Sequence, residues 1–288
     1  MPELPEVEIT ARRLDEALRG ARIESALAPG INALKTYDPP LSAIEGRELT
    51  GVGRRGKNLV VEIAGAADGP LVLLIHLMSA GRLQLYDKRA GPRDRTSRLL
   101  VRLADGRELR LREFGSKQAA WVKLLRAADV AQDEAVAKLG PEAWPDPPQP
   151  AALGELLAAP RPLHGLLRDQ RTIAGIGRSW SDEILWEAQL SPFKRGADLT
   201  AQELTRLREA IVAVLAGALT HYEESVALPL PDKLPMPLRV HRHEGQPCPR
   251  CGTTLQAVHF EDYTIAYCTA CQTEGRVLKD RRLSRLLK

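Results

Sequence analysis

Apolar residues at Val7, Ala11, Leu14 and Leu18 recur at helical spacing and predict an amphipathic helix over residues 6–19, with Pro5 at its start and Gly20 beyond its end. The period then shortens. Leu59–Ile63, Leu71–Leu77, Arg82–Tyr86, Ser97–Leu103, Glu108–Arg112 and Ala119–Leu124 read as strands, parted by turn signals such as Ala67-Asp68-Gly69-Pro70 and Ala104-Asp105-Gly106. Short strands at this spacing predict a sandwich or barrel, which with the leading helix forms a first domain over 1–140. Five prolines between Pro141 and Pro150 read as a linker. Beyond them the pattern turns helical at Ala151–Ala159, Leu163–Thr172, Ser179–Leu190 and Ala201–Leu219, the last opened by a capping box of Thr200 and Glu203. This second domain runs over 141–238 and ends in Pro/Leu-rich sequence from Leu228. A third, over 239–288, holds two short strands, Leu255–Phe260 and Thr264–Tyr267, that read as a β-hairpin. The fold class is α+β multidomain, without repeats.

Charge and cysteine placement sharpen this outline. The chain of 288 residues carries a formal net charge of +4, and all of it lies beyond Pro237, where nine Lys/Arg face five Asp/Glu. A basic end on a neutral body suits a polyanion partner or a solvated tail. The longest apolar run, Leu71 to Leu77, is broken by His76 and is far short of a membrane span. No signal peptide is evident, and none of the four cysteines is left for a disulfide framework elsewhere, so a reducing cytoplasm is expected.

Those cysteines form the clearest chemical motif. Cys248 and Cys251, then Cys268 and Cys271, give two C-x2-C pairs. Two residues between thiols let both sulfurs reach one ion, and four thiolates close a tetrahedral shell, which predicts one structural zinc. At the other end stands Met1-Pro2-Glu3-Leu4-Pro5-Glu6. Removal of the initiator Met leaves Pro2 with a free secondary amine. An α-amino group has a pKa near ~7.7–8.0, so part of it is unprotonated at neutral pH and competent to form an iminium with a sugar carbon. Glu3 and Glu6 lie beside it for proton transfer. The plainer alternative is that the two prolines only start a helix. Gly175-Ile176-Gly177 sits between two predicted helices, where backbone N–H groups either bind a phosphate or simply turn the chain. Arg54, Arg55 and Lys57 lie in a Gly-flanked turn before a strand, as phosphate contacts or as a solvated basic turn. His241 and His243 lack metal spacing and read as surface residues or phosphate contacts.

The opening MPELPEVE, GRRGK at 53–57, RDQRTIAGIG at 168–177 with SDEILW at 181–186, and the four-cysteine C-terminus occur in the order of one family. The chain resembles the formamidopyrimidine-DNA glycosylase / endonuclease VIII family along its whole length. The resemblance implies a β-sandwich with an N-terminal helix, a helix–two-turn–helix domain, and a C-terminal zinc-ribbon hairpin that enters DNA. It implies a monomeric, bacterial-type, nucleoid-associated enzyme of base excision repair acting on damaged double-stranded DNA. Pro2 is then the nucleophile of a bifunctional glycosylase and AP lyase, Glu3 its general acid/base, and Glu6 a lesion-positioning group. Lys57 contacts the phosphate beside the lesion, and the Gly175–Gly177 turn clamps the backbone.

Base flipping leaves a hole that the family fills with a Met, an Arg and an aromatic wedge. Arg112 and Phe114, in Arg112-Glu113-Phe114-Gly115, match two of these. The third is displaced: ungapped, Ser79 takes the Met position, and Met78 lies one residue early, on the opposite face if the strand continues. Other departures fall at DNA-binding positions. Arg178 replaces Asn, with Ser179-Trp180 for Ile-Tyr; His164 stands for a phosphate-binding Lys; Tyr263 replaces the hairpin Arg. No Gly-rich lesion-capping loop is recognisable between Thr220 and Leu238, and a long basic tail ends at Lys288. These departures leave two alternatives: a shifted substrate, such as abasic sites or oxidised pyrimidines, or a damaged-DNA-binding protein without catalysis.

Overall fold

The computed structural model describes residues 2–30, 32–66, 69–91, 94–114 and 118–278. Met1, the turn residues Ala67 and Asp68, Gly115 and the basic tail from Lys279 to Lys288 lie outside the described residues. The chain groups into two compact units. The first comprises residues 1–138 and 221–235, and the second 139–220 and 236–288.

The first unit opens with helix α1 (Leu4–Leu18), which starts two residues earlier than its apolar period suggests. The reason is its cap. Glu3 is the N-cap and Glu6 the third helical residue, and each side chain accepts the other's backbone N–H. Pro5 sits in the first turn, where a missing N–H costs nothing. Eight strands follow: β1 (Ile23–Leu27), β2 (Leu49–Arg55), β3 (Asn58–Ala66), β4 (Gly69–His76), β5 (Gly81–Tyr86), β6 (Ser97–Leu103), β7 (Glu108–Glu113) and β8 (Trp121–Arg126). They form two antiparallel four-stranded sheets, ordered β1-β6-β7-β5 and β2-β3-β4-β8. Val7, Leu14 and Leu18 of α1 join Leu59, Val61 and Ile75 of one sheet and Leu99, Val101 and Leu111 of the other in a single buried cluster. Tyr222, Val226 and Leu230 complete it from the far end of the chain.

Strands β1 and β2 were not expected. Ile23–Leu27 shows no clean alternation, and two glycines with two arginines in β2 have poor strand propensity. Pairing with β6 and β3 overrides both. The supposed basic turn is therefore corrected. Arg54 and Arg55 end strand β2, and only Gly56-Lys57 turns, between Arg55 and its partner Asn58. Gly56 takes φ +57°, which a residue without Cβ adopts at no cost.

In the second unit, α2 (Glu134–Ala137) having closed the first, come α3 (Pro150–Leu157), α4 (Leu163–Arg168), α5 (Arg178–Glu187) and α6 (Ala201–Ser225). Helix α4 stops four residues short of the expected end because Asp169 leaves helical geometry and turns its carboxylate to the Arg171 N–H. Helix α6 runs six residues further than its expected end, and its last turn belongs to the first unit. Strands β9 (Gln256–His259) and β10 (Thr264–Tyr267) pair antiparallel, and α7 (Thr269–Thr273) follows.

Candidate functional site

In the first unit the N-terminal residues are fixed from several sides. Glu3 and Glu6 are 3% and 4% exposed. Glu6 accepts the Glu3 N–H at 2.8 Å through Oε2 and the Tyr222 hydroxyl at 2.7 Å through Oε1. Burial and the Glu6 carboxylate, with Glu3 beyond it, push the Tyr222 phenol above its ordinary value, so it remains a donor at neutral pH. The half-buried Pro2 stands immediately before this pair. Sequence reasoning missed Tyr222; its position in the last turn of a long helix carries no local signal.

The basic residues nearby divide. Arg54 does not offer the surface charge of a basic turn: its side chain is 6% exposed and donates to Glu8 Oε2 at 2.7 Å. Lys57 lies close enough to His76 to affect it. Burial first, and then the Lys57 charge, lower His76 to about 4, so the imidazole is neutral at pH 7. Its Nδ1 accepts the Met78 N–H at 2.9 Å, which places the ring proton on Nε2. Met78 itself requires a correction. Strand β4 ends at His76, and Met78 sits in the following turn at φ +50°, so strand alternation does not set its direction. Arg112 and Phe114 do come together, the guanidinium 4.6 Å from the ring centre. Arg112 also donates to Tyr86 Oη at 2.8 Å, and Phe114 remains 38% exposed.

The segment expected to lack a capping loop is tied down. Gln84 donates to the Leu230 carbonyl at 2.6 Å and to Asp232 at 3.2 Å, and Arg82 donates to the Asp232 carbonyl.

In the second unit Gly175 adopts φ +102°, which excludes most side chains. Its N–H is already accepted by Gln170 Oε1 at 2.9 Å, while Gln170 Nε2 donates to Ile176 O at 2.7 Å. The turn ends at Gly177, the N-cap of α5, and Arg178, its first residue. Arg178 reaches Asp262 and the Tyr263 ring. Two histidine readings are corrected. His164 is 1% exposed, its Nε2 3.3 Å from Asp182 Oδ1, and it offers no surface for a phosphate. His241 is 8% exposed and bonded through Nδ1 to Asp182 Oδ2 at 2.7 Å. The same Asp182 oxygen accepts the Ala266 N–H of β10 at 3.1 Å, and Glu183 accepts three consecutive N–H groups from Arg239, Val240 and His241. Asp182 and Glu183 therefore hold the chain around the cysteines to α5.

The four cysteine sulfurs lie within 4.8 Å of one another and form a group able to hold one metal ion. Cys251 is 3.4 Å from Cys268 and 3.5 Å from Cys271, and Cys248 is 4.0 Å from Cys271. Bonds of ~2.3 Å to a central zinc would set tetrahedral sulfurs about 3.8 Å apart, so the cluster fits that ion. Trp186 of α5 donates its indole N–H to Cys248 Sγ at 3.3 Å, and Arg239 and Arg250 lie 4.4 and 4.2 Å from its ring centre.

Comparison with known proteins agrees with this layout. Residues 1–116 match the formamidopyrimidine-DNA glycosylase N-terminal domain, and residues 139–228 match the formamidopyrimidine-DNA glycosylase H2TH domain. A formamidopyrimidine-DNA glycosylase of Roseiflexus is 33% identical over 286 residues, covering 94% of this chain and 100% of the relative. The chain belongs to the formamidopyrimidine-DNA glycosylase family. A formamidopyrimidine-DNA glycosylase-like protein of Mycobacterium tuberculosis is 44% identical over 154 residues, which is 49% of this chain and 98% of that protein. Among solved structures, Lactococcus lactis Fpg (MutM) in complex with DNA containing N7-benzyl-Fapy-dG superposes with a TM-score of 0.83 at 26% identity, over 94% of this chain and 100% of that one.

Proposed function

We propose that the protein is a bifunctional DNA glycosylase and AP lyase of base excision repair. The observation that carries this reading is the N-terminal cluster: Pro2 directly precedes two buried carboxylates, one of them held by Tyr222 and by the backbone of the other. After Met1 removal the Pro2 nitrogen attacks C1′ of the damaged nucleotide, and the C1′–N bond to the base breaks with its electron pair. Glu3 serves as general acid/base on the opening sugar, and Glu6, fixed by Tyr222, positions the lesion. The resulting iminium withdraws electrons. Loss of a C2′ proton expels the 3′ phosphate, a second elimination expels the 5′ phosphate, and hydrolysis returns the free amine. Incubation with an abasic-site duplex and borohydride tests this: a covalent adduct supports the enzyme, and binding without any adduct supports the non-catalytic alternative.

The division into 1–140, 141–238 and 239–288 assigns chemistry, backbone grip and the zinc-bearing hairpin to the three stretches, with Tyr222 of the middle one serving the first. Lys57, Arg55, Gly177 and Arg178 supply phosphate contacts, and Arg112 with Phe114 fills the hole left by the flipped base. Lys57→Ala is expected to flatten the log–log salt dependence of duplex binding by about one unit, each neutralised phosphate contributing about −0.9. An unchanged slope returns Lys57 to an ordinary surface turn.

The four cysteines hold one structural zinc. When bound, the ion ties the strands of the ribbon together and leaves no open coordination position for a reacting water. Elemental analysis of protein purified without chelator is expected to find one zinc per chain, and Cys251→Ser to loosen the hairpin and weaken DNA binding without affecting the Pro2 amine. Well under one zinc per chain contradicts the ribbon.

One observation favours a shifted lesion range. Residues 220–238 contain no glycine, and Gln84 and the buried Tyr222, Val226 and Leu230 anchor this segment to the core of the first unit. A segment anchored at these points is poorly suited to closing over a flipped oxidised guanine. Abasic sites and oxidised pyrimidines, which need no such cap, are the substrates this arrangement suits.

A further inference from the structure

Building on the DNA-binding reading above, we propose that Asp262 is an internal stand-in for a DNA phosphate. It occupies the Arg178 guanidinium in the free protein and yields it to the DNA backbone, with Arg168 as the second cation of the same subsite. Arg178 donates from Nη2 to Asp262 Oδ2 at 2.7 Å and from Nη1 to the Asp262 carbonyl at 2.8 Å. A guanidinium fork accepts a carboxylate or a phosphate through the same paired N–H geometry. The two side chains are 41% and 69% exposed, so the pair is weak and its exchange for another anion costs little.

The surroundings hold the guanidinium ready for that exchange. Arg178 opens α5 and Arg168 closes α4, and their guanidinium carbons lie 4.8 and 4.5 Å from the centre of the Tyr263 ring. Tyr263 stacks on Phe260 at 4.5 Å with 6° between planes, and the Phe260 N–H to Tyr263 carbonyl bond closes the turn that carries Asp262. An aromatic face attracts both cations and keeps them near one point without neutralising them. The hairpin thus contributes an aromatic platform and a displaceable carboxylate, while the helices contribute the charge.

A double-mutant cycle on binding of a short undamaged duplex tests the proposal. Asp262→Asn is expected to tighten binding about two- to fivefold, the range an exposed ion pair spans. Arg168→Ala and Arg178→Ala are each expected to weaken binding and flatten the salt slope by about 0.9. In the Arg178→Ala background the gain from Asp262→Asn is expected to vanish. Glu261→Gln, which removes the adjacent exposed carboxylate, controls for net charge and is expected to have less effect. An Asp262→Asn variant that binds no tighter overturns the proposal. So does an equal gain with or without Arg178, since that is general charge removal. A wild-type chain that binds no duplex at all refutes the underlying DNA-binding reading instead, and this inference with it.

Discussion

A chain that retains an uncleaved N-terminal tag is expected to form no borohydride-stable adduct with abasic-site DNA, whereas the processed chain forms it readily. One lone pair on nitrogen decides the outcome. A peptide bond to Pro2 makes its nitrogen a tertiary amide, which is neither basic nor nucleophilic. An ordinary α-amino group titrates at ~7.7–8.0, so an unblocked N-terminus offers some free amine at neutral pH. Pro2→Gly keeps an N-terminal amine and is expected to retain some lyase activity, which separates loss of the amine from loss of the proline ring. Adduct formation followed over time on a denaturing gel reads all three proteins. An undiminished rate in the tagged protein would mean that another amine reacts. Lys57, in the turn between β2 and β3, is the first to examine.

Glu3→Gln is expected to lower base-excision turnover by about 10²–10⁴-fold, the range a positioned general acid/base supplies. This substitution isolates proton transfer from structure. Glu3 caps α1 by accepting the Glu6 N–H, and a glutamine amide oxygen accepts the same bond in nearly the same shape. The helix start therefore survives while the titrating group is lost. Trapping on an abasic site is expected to persist, because no base has to depart there. Single-turnover excision on a lesion duplex, with trapping on an abasic duplex alongside, measures both. An excision rate within a few-fold of wild type removes Glu3 from the chemistry.

Much of this architecture is legible in the sequence where one period dominates. Val7, Leu14 and Leu18 announced α1, and the paired cysteines announced a four-sulfur cluster, because both depend on spacing alone. What escaped depends on partners distant in the chain. Strand β2 is stabilised by β3 rather than by the propensity of its own Gly and Arg residues. Arg54 looked like surface charge, but its partner Glu8 is 46 residues away. His164 occupies a position where a surface cation was expected, yet it is 1% exposed, with its Nε2 3.3 Å from Asp182 Oδ1. Tyr222 completes the N-terminal cluster from 216 residues beyond Glu6, a separation no local pattern spans.

The reading proposed above makes the Pro2 nitrogen the atom that reacts with the sugar. Its most direct test is peptide mapping by mass spectrometry of the borohydride-trapped adduct between the processed chain and abasic-site DNA. The sugar remnant is expected on the N-terminal peptide that begins at Pro2, with fragment ions assigning it to the first residue. A remnant on the peptide containing Lys57, or on any other lysine, would contradict it.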